Sequence, residues 1–177
     1  MSQGFSRDRL YQIFQKLDRD GSGTLSAPEL QKALSNGTWT PFNIITVQAM
    51  IDLFSPNHSL EINFDGFLRL WEFVEGWQRY FKAVDRDNSG CVDLQELQSA
   101  ISQAGYRLSP GLYQLMMCRF DRKKKGVIYF DDFMYMCIIL QKLTEQFRNL
   151  DTDRDGYIQI GLQSTNSSDF QFVSKKR

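Results

Sequence analysis

No stretch of the chain approaches the 18 or so consecutive apolar residues that a membrane-spanning helix requires, so no span is predicted. The first residues, MSQGFSRDRL, hold no apolar core of a secretory signal, and Gly4 is not at the second position that myristoylation needs. Histidine occurs once, at His58, and the three cysteines (Cys91, Cys118, Cys137) match no zinc or redox spacing and have no histidine partner in the sequence. Together with the lack of a phosphate-binding glycine loop, this argues against an enzyme. Odd, unpatterned cysteines are expected as free thiols in a reducing, cytoplasmic setting. Net charge is missing too: 21 Lys+Arg balance 21 Asp+Glu, which excludes a nucleic-acid binder held by phosphate contacts. Four prolines and twelve glycines are too few for a linker-rich chain, and 42% hydrophobic with 14% aromatic residues excludes disorder. A length of 177 residues suits one domain or two small lobes.

The glycines that are present fall at regular places. Gly23, Gly90, Gly126 and Gly156 each lie five residues after an aspartate: Asp18, Asp85, Asp121 and Asp151. With a fifth, degenerate copy starting at Ser55, the starts at 18, 55, 85, 121 and 151 are spaced by 37, 30, 36 and 30 residues. The residue four before each start is Phe14, Ile51, Phe81, Met117 or Phe147, and the residue just before it is Leu17, Phe54, Val84, Phe120 or Leu150. These two positions share a helix face and are expected in the core. The eighth position of each loop is Leu25, Ile62, Val92, Ile128 or Ile158, branched or apolar as suits a short strand that pairs with a neighbouring loop.

Helices are expected to leave the loops at Ser26, Asn63, Asp93 and Phe130, with Ser26–Glu29 and Asp93–Glu96 at capping-box spacing. The 30-residue spacings leave no room for a linker, so Phe64–Val84 and Asp131–Leu150 should each be one helix of roughly 30 Å. Longer connections run from Ser35 to Pro41 and from Gly105 to Leu108, the second ending in Ser109-Pro110, an N-cap followed by an N1 proline.

A twelve-residue calcium loop takes oxygens from positions 1, 3 and 5, a main-chain carbonyl at 7, a group at 9 acting through water, and a bidentate Glu at 12, with glycine at 6. Loop one offers Asp18, Asp20, Ser22, Thr24, Ser26 and Glu29; loop three offers Asp85, Asp87, Ser89, Cys91 (through its carbonyl), Asp93 and Glu96. Hard oxygen donors without a nitrogen or sulfur side-chain ligand favour Ca²⁺ over zinc or copper. The bland alternative, an Asx-rich surface turn, does not account for two complete sets.

The other loops depart from this set. Loop two has Ser55, Asn57, Ser59, Leu60 and Glu61 and ends in Gly66, so it is expected to be structural, with His58 facing solvent. Loop four keeps Asp121, Gly126 and Asp132 but places Lys123 and Lys125 at ligand positions, and is expected to hold no metal. Loop five has Asp151, Asp153, Asp155 and the Tyr157 carbonyl but Leu162 at position 12, which makes at most a weak third site. The fixed charges are −2 on loop one, −3 on loop three and +1 on loop four, so neutrality of the whole conceals two acidic switches.

Five such units, with the strings Leu34-Ser35-Asn36-Gly37-Thr38-Trp39, Asp85-Arg86-Asp87-Asn88-Ser89-Gly90, Gly105-Tyr106-Arg107-Leu108-Ser109 and Phe130-Asp131-Asp132-Phe133, resemble the penta-EF-hand family from about residue 5 to residue 160. The resemblance implies an all-α fold of five EF-hands with short β pairings between loops, in a single domain. Hand one would cover about 6–36, hand two 43–72, hand three 72–104, hand four 109–140 and hand five 140–162, leaving a divergent tail at 163–177. It also implies a cytoplasmic calcium sensor that binds metal in hands one and three, with midpoints of about 10⁻⁷–10⁻⁵ M. Its partners would be proline-rich segments of trafficking proteins. They would recruit it to endoplasmic reticulum exit sites and endosomes, with the nucleus a further compartment and membrane association only through partners. Hand five would pair with a second copy or a related chain.

The tail departs from the family pattern. Gln163, Asn166 and Ser167 stand where Leu97, Ala100 and Ile101 stand after loop three, so a polar segment is expected, with Phe170, Phe172 and Val173 as a short extended stretch. The aromatic helix 64–84 points to a partner surface formed by Trp71, Trp77 and Tyr80 with Ala104 and Tyr106, whereas Phe81 is core and Trp39 anchors a linker. Two alternatives to the adaptor remain open: a calcium buffer, and a dimerising regulatory subunit of a larger penta-EF-hand protein.

Overall fold

The computed structural model describes residues 6–34, 40–55, 59–152, 160–163 and 171–174. They divide into two compact units, Met1–Met136 and Cys137–Arg177.

The first unit is a series of helix–loop–helix segments: α1 (Arg7–Leu17), α2 (Ala27–Gln31), α3 (Ile44–Phe54), α4 (Phe64–Val84), α5 (Leu94–Gln103), α6 (Pro110–Phe120) and the start of α7 (Phe130–Leu150). Side chains outside the helices begin most of them. Ser6 Oγ accepts from Arg9 N at 3.3 Å, Asn43 Oδ1 from Ile45 N at 3.1 Å, Asn63 Oδ1 from Gly66 N at 2.9 Å and Ser109 Oγ from Leu112 N at 3.3 Å. The expected long helix after loop two is α4, and the one after loop four begins one residue earlier than expected, at Phe130.

The loops pair as position 8 requires. β1 (Thr24–Ser26) runs antiparallel to β2 (Glu61–Asn63) with Leu25 opposite Ile62, and β3 (Cys91–Val92) to β4 (Ile128–Tyr129) with Val92 opposite Ile128. All four residues are fully buried, so each ladder points one apolar pair into the core. Phe14, Ile51, Phe81 and Met117 are buried as expected. The residue just before the loop behaves differently: Val84 is buried, but Leu17, Phe54 and Phe120 are only half-buried. The helix ends there and the chain turns away, so only one side of that residue meets the core.

Hands two and four are joined directly. The Phe42 and Phe130 rings pack edge to face at 5.6 Å, Asn43 N donates to Asp131 Oδ2 at 2.9 Å, and Thr46 Oγ1 donates to the Asp131 carbonyl at 3.3 Å. Phe81 packs edge to face on Phe130 at 5.3 Å and on Phe133 at 5.5 Å, which brings α4 against α7 at the centre of the unit. Gly66, at position 12 of loop two, lies where α4 runs tight against that loop: a Cβ there would stand 2.6 Å from Ile62 Cγ1 and 3.0 Å from the Phe54 carbonyl oxygen.

The second unit holds the rest of α7 and an antiparallel hairpin of β5 (Ile160–Gln163) and β6 (Gln171–Ser174), with Ile160 opposite Ser174. The extended stretch expected near the end is β6, and among the described residues no helix follows α7. In this unit the expected core register fails: Phe147 is 39% exposed and Leu150 41%, in line along α7 with Leu143 at 62%.

Candidate metal centres and partner surface

Loops one and three are built alike. Each begins at the C-cap of its incoming helix, Asp18 after α1 and Asp85 after α4. Asp18 Oδ1 accepts from Ser22 N at 3.0 Å and its Oδ2 from Gly23 N at 3.0 Å; Asp85 accepts from Ser89 N at 2.9 Å and Gly90 N at 3.0 Å. Those bonds require the sixth residue in the left-handed region, at φ +78° for Gly23 and +80° for Gly90. The closing glutamate reaches back across each loop. Glu29 accepts from Arg19 N at 3.2 Å and Ser26 N at 3.0 Å, and Glu96 from Arg86 N at 2.8 Å and Asp93 N at 3.1 Å.

The outcome is two triplets, Asp18–Asp20–Glu29 and Asp85–Asp87–Glu96, each with one carboxylate oxygen per residue within 4.8 Å of the others. Around them the Ser22 hydroxyl approaches the Thr24 carbonyl, and the Ser89 hydroxyl the Cys91 carbonyl, both at 3.1 Å. Ser26 and Asp93 stand at the N-caps of α2 and α5. Oxygen donors from positions 1, 3, 5, 7 and 12 thus converge twice, and the set fits a divalent cation of hard character. Hydrogen bonds keep several of these acids ionised. The Ser26 hydroxyl, then its N–H, hold Glu29 below the usual glutamate value, and Ser22 and Ser89 do the same for Asp20 and Asp87.

Loop four is closed by its own cation. Arg122 Nε donates to Asp132 Oδ1 at 2.6 Å and Nη2 to Asp131 Oδ2 at 2.8 Å. Both acids are almost fully buried. Burial raises Asp132 above its usual value, and the Arg122 hydrogen bond pulls it back. Lys123 lies with its ammonium 3.9 Å from the centre of the Tyr129 ring. The Lys125 side chain is exposed, and its N–H donates to Asp121 Oδ1 at 3.0 Å. Sequence reasoning assigned the exclusion of metal to the lysines at positions 3 and 5, but the group that takes the acids is the arginine at position 2. The doublet Asp131-Asp132 was the available signal, since buried carboxylates without metal need a paired cation.

Loop two is tied by hydroxyls: Ser55 Oγ lies 2.7 Å from Ser59 Oγ, and Ser59 Oγ donates to the Glu61 carbonyl at 2.6 Å. Of the loop-five ligand candidates only Asp151 is described; Asp153, Asp155 and Tyr157 lie outside the described residues, as do Ile158, His58 and Trp39. All three cysteines are free thiols, and burial pushes Cys137 up to about 12, which leaves it protonated and unreactive at neutral pH.

The five candidate partner residues are distributed over three places. Trp77 and Tyr80 touch edge to face at 5.7 Å, half-buried and exposed respectively, and both pack on Phe133 at 6.2 Å. Tyr80 Oη also donates to the Ala100 carbonyl of α5 at 3.3 Å. Trp71 is set apart, against Phe67 at 5.7 Å with its Nε1 donating to Glu75 at 3.1 Å. Ala104 is exposed at the C-cap of α5, and Tyr106 lines a cleft of about 560 Å³ with Gln98, Ser102, Arg107, Leu108 and Tyr113.

Residues 7–72 and 74–138 each match the EF-hand domain pair, and 144–160 match a single EF hand. Sorcin of Schistosoma japonicum is 45% identical over 164 residues, covering 93% of this chain and 95% of that protein. Human peflin is 41% identical over 154 residues, 86% of this chain, and human grancalcin 38% over 138 residues, 76% of this chain. The chain spans only 54% of human peflin and 63% of human grancalcin. A solved structure of a homolog of programmed cell death 6 protein from Leishmania major Friedlin superposes with a TM-score of 0.72 at 32% identity, covering 89% of this chain and 87% of that one. Among the described residues no helix is long and apolar enough to cross a membrane.

Proposed function

Because the chain belongs to the penta-EF-hand family, calcium-binding adaptors rather than enzymes, we propose that it is a calcium sensor whose metal sites are loops one and three and whose output is an apolar groove for proline-rich segments. Asp18, Asp20, Ser22, the Thr24 carbonyl, Ser26 and Glu29 hold one Ca²⁺, and Asp85, Asp87, Ser89, the Cys91 carbonyl, Asp93 and Glu96 hold the other.

The observation that carries this reading is Tyr80. It sits on the entering helix of hand three and bonds the Ala100 carbonyl on the exiting helix, while the same two helices end and begin at ligands Asp85 and Asp93. Cation binding that changes the angle between α4 and α5 must therefore break or remake that bond and alter the exposure of Trp77 beside it. A stiff polyproline peptide arrives with little entropy to lose and docks on such aromatic faces. Proline-rich segments of trafficking proteins are the partner class, and recruitment by them gives a cytoplasmic protein its place at endosomes and endoplasmic reticulum exit sites. Calorimetry with a proline-rich peptide should show binding with Ca²⁺ and none with chelator, weakened by Trp77→Ala. Equal affinity in both conditions would reject the sensor and leave a buffer.

A second reading, pairing of two chains through hand five, is favoured by the exposed row Leu143, Phe147 and Leu150 on α7. Sedimentation of Leu143→Asp beside the parent chain tests it: the variant should be monomeric where the parent is dimeric, and a monomeric parent ends the idea.

A further inference from the structure

Loop two binds no cation in the reading above, yet one of its side chains reaches loop one. Glu61 lies opposite Ser26 in the β1–β2 ladder, and its Oε2 accepts a hydrogen bond from Thr24 Oγ1 at 2.6 Å. It thus stands beside two of the residues that furnish ligands at positions 7 and 9. Glu61 is not one of the three carboxylates that converge within 4.8 Å, so it acts from one hydrogen bond further out.

That bond has a consequence for Ser22. The Ser22 hydroxyl has a single hydrogen and three acceptors near it: Asp18 Oδ1 at 3.4 Å, the Thr24 carbonyl at 3.1 Å and Thr24 Oγ1 at 3.2 Å. When a cation is held, the Asp18 carboxylate and the Thr24 carbonyl are turned to the metal. Thr24 Oγ1 is then the acceptor left for the Ser22 hydrogen, and it can accept because its own hydrogen is committed to Glu61. We propose that Glu61 is a positioning residue for the cation site of loop one: through Thr24 it orders the Ser22 hydroxyl so that its lone pairs face the ion, and it adds one negative charge next to the site. This rests on the reading of loop one as a Ca²⁺ site.

Loop three is the internal control. Cys91 stands at its position 7 and Val127 at position 7 of loop four, so neither the hydroxyl nor the facing carboxylate has a counterpart there. The two carboxylate triplets are built alike, so a loss confined to loop one reports on Glu61 and Thr24.

The test is Ca²⁺ calorimetry on the full chain, with Glu96→Gln as background to isolate loop one and Glu29→Gln to isolate loop three. Glu61→Gln should weaken loop one about fivefold, the scale of one solvent-screened charge acting on a divalent ion through its outer shell. Loop three should be unchanged. Thr24→Val, which keeps the carbonyl ligand, should produce a similar loss, and the double variant little more than the larger single one. The Glu61→Gln effect should shrink in high salt. Melting of the calcium-free protein should move by less than about 2 °C, as for an exposed substitution with a local role. Unchanged loop-one affinity in Glu61→Gln overturns the proposal, and so does an equal loss in both loops, which would mark a general structural defect. If Glu29→Gln removes no binding event from the parent chain, the reading of loop one has failed and takes Glu61 with it. If it removes an event that Glu61→Gln leaves intact, the role of Glu61 alone fails.

Discussion

Replacing Arg122 by alanine removes the cation on which two buried acids depend. In the native protein the Arg122 side chain is 44% exposed, while Asp131 and Asp132 are 1% and 6% exposed. Breaking a fully buried pair from one side costs about 3–5 kcal/mol. Here the arginine is partly solvated, and Asp131 keeps the Asn43 N–H at 2.9 Å, so a loss of roughly 2–3 kcal/mol is expected. For a chain of this size that is a fall in Tm of about 5–10 °C. The pH dependence is specific. Asp132 is already raised above its usual value by burial, with the Arg122 hydrogen bond opposing that rise, so the variant raises it further. A raised carboxyl contributes its stability below its unfolded value and loses it as pH climbs through the folded value. The gap between parent and variant should therefore be widest near neutral pH and should narrow as pH falls through the raised value of Asp132. Thermal melts by circular dichroism in chelator, at several pH values, measure this without metal linkage. A fall below about 2 °C at neutral pH, or one equal at both ends of the range, would refute the clasp as a stabilising contact.

Gly66→Ala should destabilise the calcium-free protein by about 1–3 kcal/mol in a denaturant melt, because the new Cβ meets the buried Ile62 side chain and the Phe54 carbonyl. For the same reason Gly66→Glu should not create a third Ca²⁺ site in calorimetry, although it restores the position-12 residue. Calcium affinity should be nearly flat from pH 7.5 to about 5, since Glu29, Asp20 and Asp87 are held below their ordinary values and protonate only as pH falls through that lowered range. A tenfold loss between pH 7.5 and 6 would place a raised group in the sites instead.

The carboxylate triplets of loops one and three were legible because acids at fixed offsets around a turn glycine are brought together by the turn. The strand registers Leu25–Ile62 and Val92–Ile128 were legible for a related reason: one apolar residue among polar ones has a single face to turn inward. Arg122 was not legible, because positions 2, 3 and 5 of loop four are all basic, and only the fold decides which cation meets Asp131 and Asp132. Glu61 was missed because the position-8 pattern aligns the strands but does not say which polar side chain beside that pair bonds across the ladder. The aromatic residues of α4 were read as one surface, yet Trp71 lies apart from Trp77 and Tyr80. A helix that is apolar all round does not declare which side is covered.

The proposed switch rests on two cation sites, loops one and three, and on no more than those two among hands one to four. Calorimetric Ca²⁺ titration of the parent chain, Glu29→Gln and Glu96→Gln decides it. One binding event should be lost in each variant and both in the double variant, whereas a parent chain without calcium binding, or a double variant that retains both events, would contradict the assignment.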